Sequence, residues 1–452
     1  MTDEKMQARP WNDRTMKRFL HSPVAALAVL VFAAALAFYE VAGSRNADLM
    51  ASWIAGHFLH AGLSDQVYPG YTEAFSLHPH PTWHAFVEAT DYQGPIFPFI
   101  YPPIWAWLMG HIGTIEAFQL FASFALFANI GMLAATLWLA MRVSGQGMPP
   151  VAYVALGVVL LAGTPVGVLP LAEGQPQILV SFLLVLAIER CWSGNQVAAG
   201  TALALAAALK LYPAIFVLIW LVTGERRALG SFAIVGAGLA GLSVALTDWD
   251  LHRAFLSDLS IISNTVLVTA VSTNVQASVA QLFFAGDLMR VPAIEVGGAT
   301  NVAQAWQYLV PDHGFRWLFK GFLLGILAGI IWAASRTQPE TRAALVWPLS
   351  LSLTALVLPL TWIYYFIPGI AFLPGIAWRL GRVGGGLAFA AVFLPICWQV
   401  VPFWRGIIAL PVMFQLVATL AMCALTIATA IALFLQLRRE NPVRNTFTEQ
   451  PL

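Results

Sequence analysis

The sequence predicts an all-α polytopic membrane protein, and three observations carry that prediction. Of the 452 residues, 59% are hydrophobic and only 10% are charged, whereas soluble domains carry roughly 25% charged residues. Apolar runs near the length of about 20 residues needed to cross a bilayer recur along the chain. Arginine and lysine fall in alternate connecting segments, as loops on the cytoplasmic side require. The formal net charge of +1 provides no global field that would draw nucleic acid or an acidic partner, so partners have to be argued from sites. Cys191, Cys397 and Cys423 lie in or beside apolar runs without C-x-x-C spacing. Neither a disulfide framework nor a zinc knuckle is indicated.

The N-terminal segment, 1–23, carries Lys5, Arg9, Arg14, Lys17 and Arg18 and leads into an apolar run without a small-residue cleavage site. It reads as a cytoplasmic N-terminus before a retained signal anchor. The first span is expected at 24–42, within a transmembrane domain of 24–437. A large first outer loop, 43–116, follows; its aromatic, Pro-, Gly- and His-containing stretch 43–98 is too polar to cross, and short interfacial helices are expected there. "FIYPPIWAWLMGHIG", 99–113, is apolar but short and opens on Pro-Pro, so it either lies in the interface or spans. Lying flat keeps Arg142 inside after a span at 117–141, and keeps the later basic loops inside too. Further spans are expected near 150–169, 176–189, 196–209, 212–223, 229–246, 316–334, 343–360, 362–378, 384–401 and 407–437. The inner loops then carry Arg190, Arg226 and Arg227, Arg336 and Arg342, and Arg379 and Arg382. The count is about twelve spans with both ends inside, a second outer segment at 247–315 and a cytoplasmic tail at 438–452. No tandem repeat or low-complexity tract is evident.

Chemistry-bearing residues cluster at span ends. Asp48 stands about one helical turn beyond the first span, where a carboxylate gains nothing from packing. It serves there either as a reactive group or as a cap on the following helix. Lys210 interrupts an apolar pair of short helices in "ALKLYP", and an ammonium near the bilayer centre costs about 2.5–3.5 kcal/mol on insertion scales. It needs an anionic partner or must snorkel to the surface. Gly174, Gln175 and Gln177 of "EGQPQ" mark a turn between apolar helices, where they hydrogen-bond a sugar or satisfy a buried turn. Asn274, Gln276 and Ser278 of "STNVQAS" form a polar patch or a solvated turn. His78, His80 and His84 have a spacing that zinc can use. Pro79 and Pro81 disfavour a helix there, no acidic or Cys partner completes the set, and no metal or other cofactor is expected.

In chain order, D-L-x-x-x-W-x-A-G from Asp48, "YPPIWAWLMG" from Tyr101, "GTPVGVLPLAEGQPQILVSFLL" and "AGTALALAAALKLYPAIF" together resemble glycosyltransferase family 87, over roughly 44–280. The C-terminal spans match loosely. That family comprises bacterial polyprenol-phosphate-mannose-dependent mannosyltransferases of the GT-C fold. The resemblance implies an integral membrane enzyme that takes a hexose, mannose in the family, from a polyprenyl-phosphate-linked donor. The acceptor is a lipid or glycan, and transfer occurs with inversion on the outer face of the bacterial cytoplasmic membrane. By motif position the catalytic carboxylate is Asp48. A polyprenyl phosphate is already a stabilised leaving group, so one base suffices without a general acid. Lys210 then offsets the growing phosphate charge. Tyr101, Gly174, Gln175, Gln177, Asn274, Gln276, Tyr364 and Tyr365 are the sugar-binding candidates. In "LTWIYYF", Tyr364 and Tyr365 replace the paired histidines of the family's S-W-x-H-H pattern, and tyrosine cannot carry a proton at neutral pH as imidazole does. A secondary transporter with Lys210 at mid-membrane and a non-catalytic flippase are the rival classes. Transporters usually show paired half-repeats, which are not evident here.

Overall fold

The computed structural model describes residues 13–75, 77–90, 92–112, 117–291, 295–296, 299–300, 306–402 and 411–440. The expected N-terminal segment and C-terminal tail therefore lie largely outside the described residues. The chain is mostly helical. A short helix, α1 (Asp13–Leu20), precedes α2 (Pro23–Val41), which Ser22 caps by accepting from the Ala25 N–H while Pro23 fills the first turn. The first outer loop holds α3 (Ala47–His60), α4 (Thr82–Glu88) and α5 (Pro103–Gly110). At eight residues α5 is too short to span by itself. The helix α3 packs into the protein. Most of its residues are buried, because Trp53, Phe58 and Ile54 pack with Tyr68, Trp83 and Phe99 in a core of their own. It meets α5 backbone to backbone at Gly56 and Gly110, where a Cβ on Gly56 would stand 2.4 Å from the Gly110 nitrogen.

The bundle continues through α6 (Phe118–Ser144), α7 (Pro150–Ala162), α8 (Pro165–Ala172), α9 (Gln177–Trp192), α10 (Gln196–Leu209), α11 (Val217–Thr223) and α12 (Arg226–Thr247). The second outer segment contains α13 (Trp249–Ser263), α14 (Val275–Phe283) and short strands. The last part comprises α15 (His313–Arg336), the single turn α16 (Pro339–Thr341), α17 (Trp347–Val357), α18 (Ile367–Arg379), α19 (Gly381–Phe393) and α20 (Pro411–Glu440). The short strands pair among themselves. β1 (Val266–Val268), β2 (Met289–Arg290) and β5 (Gln307–Leu309) form an antiparallel sheet in the order β1-β5-β2, and β3 (Glu295–Val296) pairs with β4 (Ala299–Thr300).

Among the described residues five helices are long and apolar enough to cross a membrane: α2, α6, α12, α15 and α20. A sixth span results if α7 and α8, bent by 59°, count as one. This is fewer than the count read from hydropathy, because Gly, Thr and Pro cut several apolar runs. Thr164 caps α8 just after Gly163 ends α7, and Gln196–Leu209, Tyr212–Thr223 and Gly381–Ile396 are short apolar helices. The helix α18, buried along nearly its whole length, packs on protein and not lipid.

Charge marks the two ends of the bundle. At the C-terminal ends of α6 and α9, Glu189 is buried between Arg142, at 2.8 Å, and Arg190, at 2.5 Å. Arg379, at the end of α18, donates to the Ser144 carbonyl at 2.5 Å. The opposite ends of α9 and α18 begin beside Gln175 and Tyr365, where the cavity described next opens.

Candidate active site

The chain leaves α2, turns at Gly43 and reaches Asn46, whose left-handed φ of 51° aims α3 back into the protein. The N-terminal amides of α3 find their acceptors on the end of α8. Asn46 donates to the Ala172 carbonyl at 3.1 Å, and Asp48 and Leu49 donate to the Glu173 carbonyl at 3.0 and 3.2 Å. Amides that helix starts leave unpaired thus meet carbonyls that helix ends leave unpaired. The junction fixes Asp48, in the first turn of α3, against the turn Glu173–Gln175.

Gln175 is the hub of this turn. Its Nε2 donates to Asp48 Oδ2 at 2.7 Å and to the Tyr364 hydroxyl at 2.8 Å, while its Oε1 accepts from the Tyr101 hydroxyl at 2.8 Å. Tyr101 is held in turn by Tyr68, whose hydroxyl donates to the Tyr101 carbonyl at 2.7 Å. Asp48 lines a cavity of about 740 Å³. Burial pushes the Asp48 carboxyl up to about 7 and the Glu173 carboxylate pushes in the same direction, against Lys210 and the Gln175 hydrogen bond.

Lys210 follows the last residue of α10 in extended conformation. Its Nζ donates to the Tyr365 hydroxyl at 3.2 Å and lies 4.6 Å from the Tyr365 ring centroid and 5.3 Å from that of Tyr101. The ammonium is held by aromatic faces on the wall of the same cavity. Tyr364 and Tyr365 stand on a short 3₁₀ turn, Ile363–Phe366, ahead of α18.

The sequence candidates divide. Asp48, Tyr101, Gln175, Lys210, Tyr364 and Tyr365 line one cavity. Gly174, Gln177, Asn274 and Gln276 are not among its lining residues. Gly174 has a φ of +62°, and a Cβ there would meet Leu49 Cβ at 2.7 Å, so it serves the turn. Gln177 is buried and donates to Ser181 and to the Tyr212 hydroxyl, at 3.3 and 2.9 Å. Asn274 caps α14 through the Ala277 N–H at 2.7 Å, and Gln276 donates to the Val357 carbonyl at 2.7 Å; both tie the second outer segment to the end of α17. In the histidine stretch, His80 pairs with the Thr82 hydroxyl at 2.8 Å. No three His, Cys, Asp or Glu side chains converge among the described residues.

Sequence reasoning missed Glu173 and Arg45, which also line the cavity. Glu173 Oε2 is buried without a hydrogen-bond partner among the described residues. The signal was present: a carboxylate directly after an apolar run, beside a Gly-Gln turn. The cavity otherwise offers largely aromatic and aliphatic walls around one carboxylate pair, the Lys210 ammonium and Arg45. This arrangement suits proton abstraction next to a site for an anion.

Among known proteins, no curated protein matches the chain. A sequence model of glycosyltransferase family 87 matches residues 99–359. The match takes in Tyr101, Gln175 and Lys210, runs further toward the C-terminus than the motifs above, and begins beyond Asp48, which stands on its geometry. With more than half of its residues matched, and with helices able to span a bilayer, the chain belongs to glycosyltransferase family 87.

Proposed function

We propose that this membrane glycosyltransferase takes a hexose, mannose by family resemblance, from a polyprenyl phosphate and transfers it with inversion to a lipid or glycan acceptor. The observation that carries the reading is that the hydrogen-bonded Asp48 carboxyl and the Lys210 ammonium line one cavity. In this mechanism Asp48 Oδ1 takes the proton of an acceptor hydroxyl as its oxygen attacks the anomeric carbon. The bond from that carbon to the phosphate oxygen breaks with its electron pair on the phosphate. Lys210 offsets the charge that gathers there, an effect strengthened where water is scarce. No metal is required, because the phosphate leaves without one. Gln175 holds the second carboxylate oxygen and so orients the base.

The same reading places the chain in a GT-C-type fold of about twelve membrane crossings, with 43–116 and 247–315 on the outer face of a bacterial cytoplasmic membrane. What supports this orientation is the clustering of Arg142, Arg190 and Arg379 at the end of the bundle away from Asp48. The test is purified protein with radiolabelled polyprenyl-phosphate sugars and a membrane lipid extract, followed for transferred label. Absence of transfer from every such donor would overturn the reading.

A further inference from the structure

Six aromatic side chains run in a row along the cavity wall. Tyr212 neighbours Tyr365 at 5.4 Å between ring centroids, Tyr365 neighbours Tyr364 at 5.9 Å, and Tyr364 stacks on Trp362 at 6.4 Å. Trp362 neighbours Trp306 at 6.3 Å, and Trp306 stacks on Phe97 at 6.0 Å. The polar groups divide this row. Lys210 sits on Tyr365, Asp48 is joined to Tyr364 through Gln175, and Trp362, Trp306 and Phe97 lie on the side of Tyr364 away from the cation.

We propose that Trp362, Trp306 and Phe97 form an acceptor arm that binds a glycan of at least two pyranose units, with the hydroxyl to be glycosylated at Asp48. The proposal rests on the reading of Asp48 and Lys210 above. Displacement with inversion requires the phosphate and the incoming hydroxyl on opposite sides of the anomeric carbon. With the phosphate at Lys210, the acceptor falls on the tryptophan side. The apolar C–H faces of pyranose rings pack flat on indole and phenyl faces, and indole N–H groups bond sugar hydroxyls. The arm's backbone argues against an isoprenoid chain as the occupant. Trp362 bridges to Ser272 in extended conformation, Trp306 precedes β5 and accepts from the Val291 N–H at 2.9 Å, and Phe97 lies in the first outer loop. All three lie outside the candidate membrane spans.

The experiment compares wild type, Trp306→Leu and Trp306→Phe in transfer from a radiolabelled polyprenyl-phosphate sugar to a membrane lipid extract. Trp306→Leu should raise the extract concentration for half-maximal transfer roughly ten-fold and leave the donor's unchanged, while Trp306→Phe stays near wild type. Trimming the extract's glycans to single sugars should erase the difference between wild type and Trp306→Leu. A shift confined to the donor, or a difference that survives trimming, overturns the arm. Should no polyprenyl-phosphate sugar be used at all, the donor reading falls by itself. The arm is then judged by whether oligosaccharides released from the extract quench the protein's tryptophan emission more strongly than their monosaccharides, and whether Trp306→Leu removes that excess; equal quenching overturns it.

Discussion

At Asp48 the residue's two possible jobs separate. A helix cap accepts from backbone N–H groups at the start of its helix. The start of α3 is Asn46, without a side-chain cap bond, and the Asp48 carboxyl is turned to the Gln175 amide instead. Asp48→Asn keeps the shape and a polar contact but removes the base. Transfer should fall by roughly 10² to 10⁴-fold, the range that general-base catalysis supplies, with donor binding little changed. With the carboxyl raised to about 7, wild-type transfer should rise with pH toward 7, since only the ionised form accepts a proton, and fall above it, because burial lowers the Lys210 ammonium to about 7 as well and the neutral amine no longer offsets phosphate charge. The linkage has the opposite sign. A carboxyl raised from 3.8 to about 7 on folding contributes stability that is complete at low pH and is lost as pH rises through 7. Asp48→Asn should therefore unfold at a temperature equal to or above wild type at pH 8, measured by thermal scanning in detergent. A lower unfolding temperature together with near-normal transfer would make Asp48 structural. Lys210, held by Tyr365 and Tyr101, should tolerate Arg better than Met, because only a cation offsets phosphate charge. Wild-type transfer by Lys210→Met would reduce the lysine to an aromatic-bound structural residue.

At the scale of elements, the α8–α9 turn shows how one backbone position serves the chemistry. Gly174 allows the left-handed turn that brings the Glu173 carbonyl to the amides of α3 and the Gln175 amide to Asp48. Gly174→Ala meets both an unfavourable φ and Leu49 Cβ, so it should destabilise by about 1–3 kcal/mol. It should also lower transfer by moving Gln175, and a variant with parental melting temperature and activity would refute that account. Long spans without breakers were legible in the sequence: 24–42 for α2, 117–141 for α6 and 316–334 for α15. The break before Pro213 was legible too, between 196–209 and 212–223, but the run cut by Gly163 and Pro165 was not, because hydropathy averages over a turn that shortens the helix. The sheet was hidden for another reason. Strands of two and three residues carry no periodicity to read. The site was half legible: Asp48 and Lys210 stand out as charges in apolar surroundings. Trp306 and Trp362 gain meaning only when strands far apart in sequence bring them to one wall.

For the whole molecule the decisive question is which side of the membrane the cavity faces, because the proposed polyprenyl-linked donor and the acceptor would have to meet on that side. Helix direction and charge bear on that question without depending on the number of spans. Following α9 from Gln175 to Arg190, or α18 from Tyr365 to Arg379, leads from the cavity to the arginine end of the bundle. The excess of arginine belongs on the cytoplasmic side, and the proposed orientation, with the cavity outward, therefore makes a labelling prediction. In a background with Cys191, Cys397 and Cys423 replaced by alanine, a cysteine at Ser64 should react in intact cells with a membrane-impermeant thiol reagent. Ser64 is exposed in the first loop between α3 and α4. A cysteine at Ser335, exposed beside Arg336 at the end of α15, should react only after the cells are opened. Labelling of Ser335 in intact cells without labelling of Ser64 would turn the enzyme over. Asp48 would then face the cytoplasm, and donor and acceptor would have to be sought among lipids of the inner leaflet.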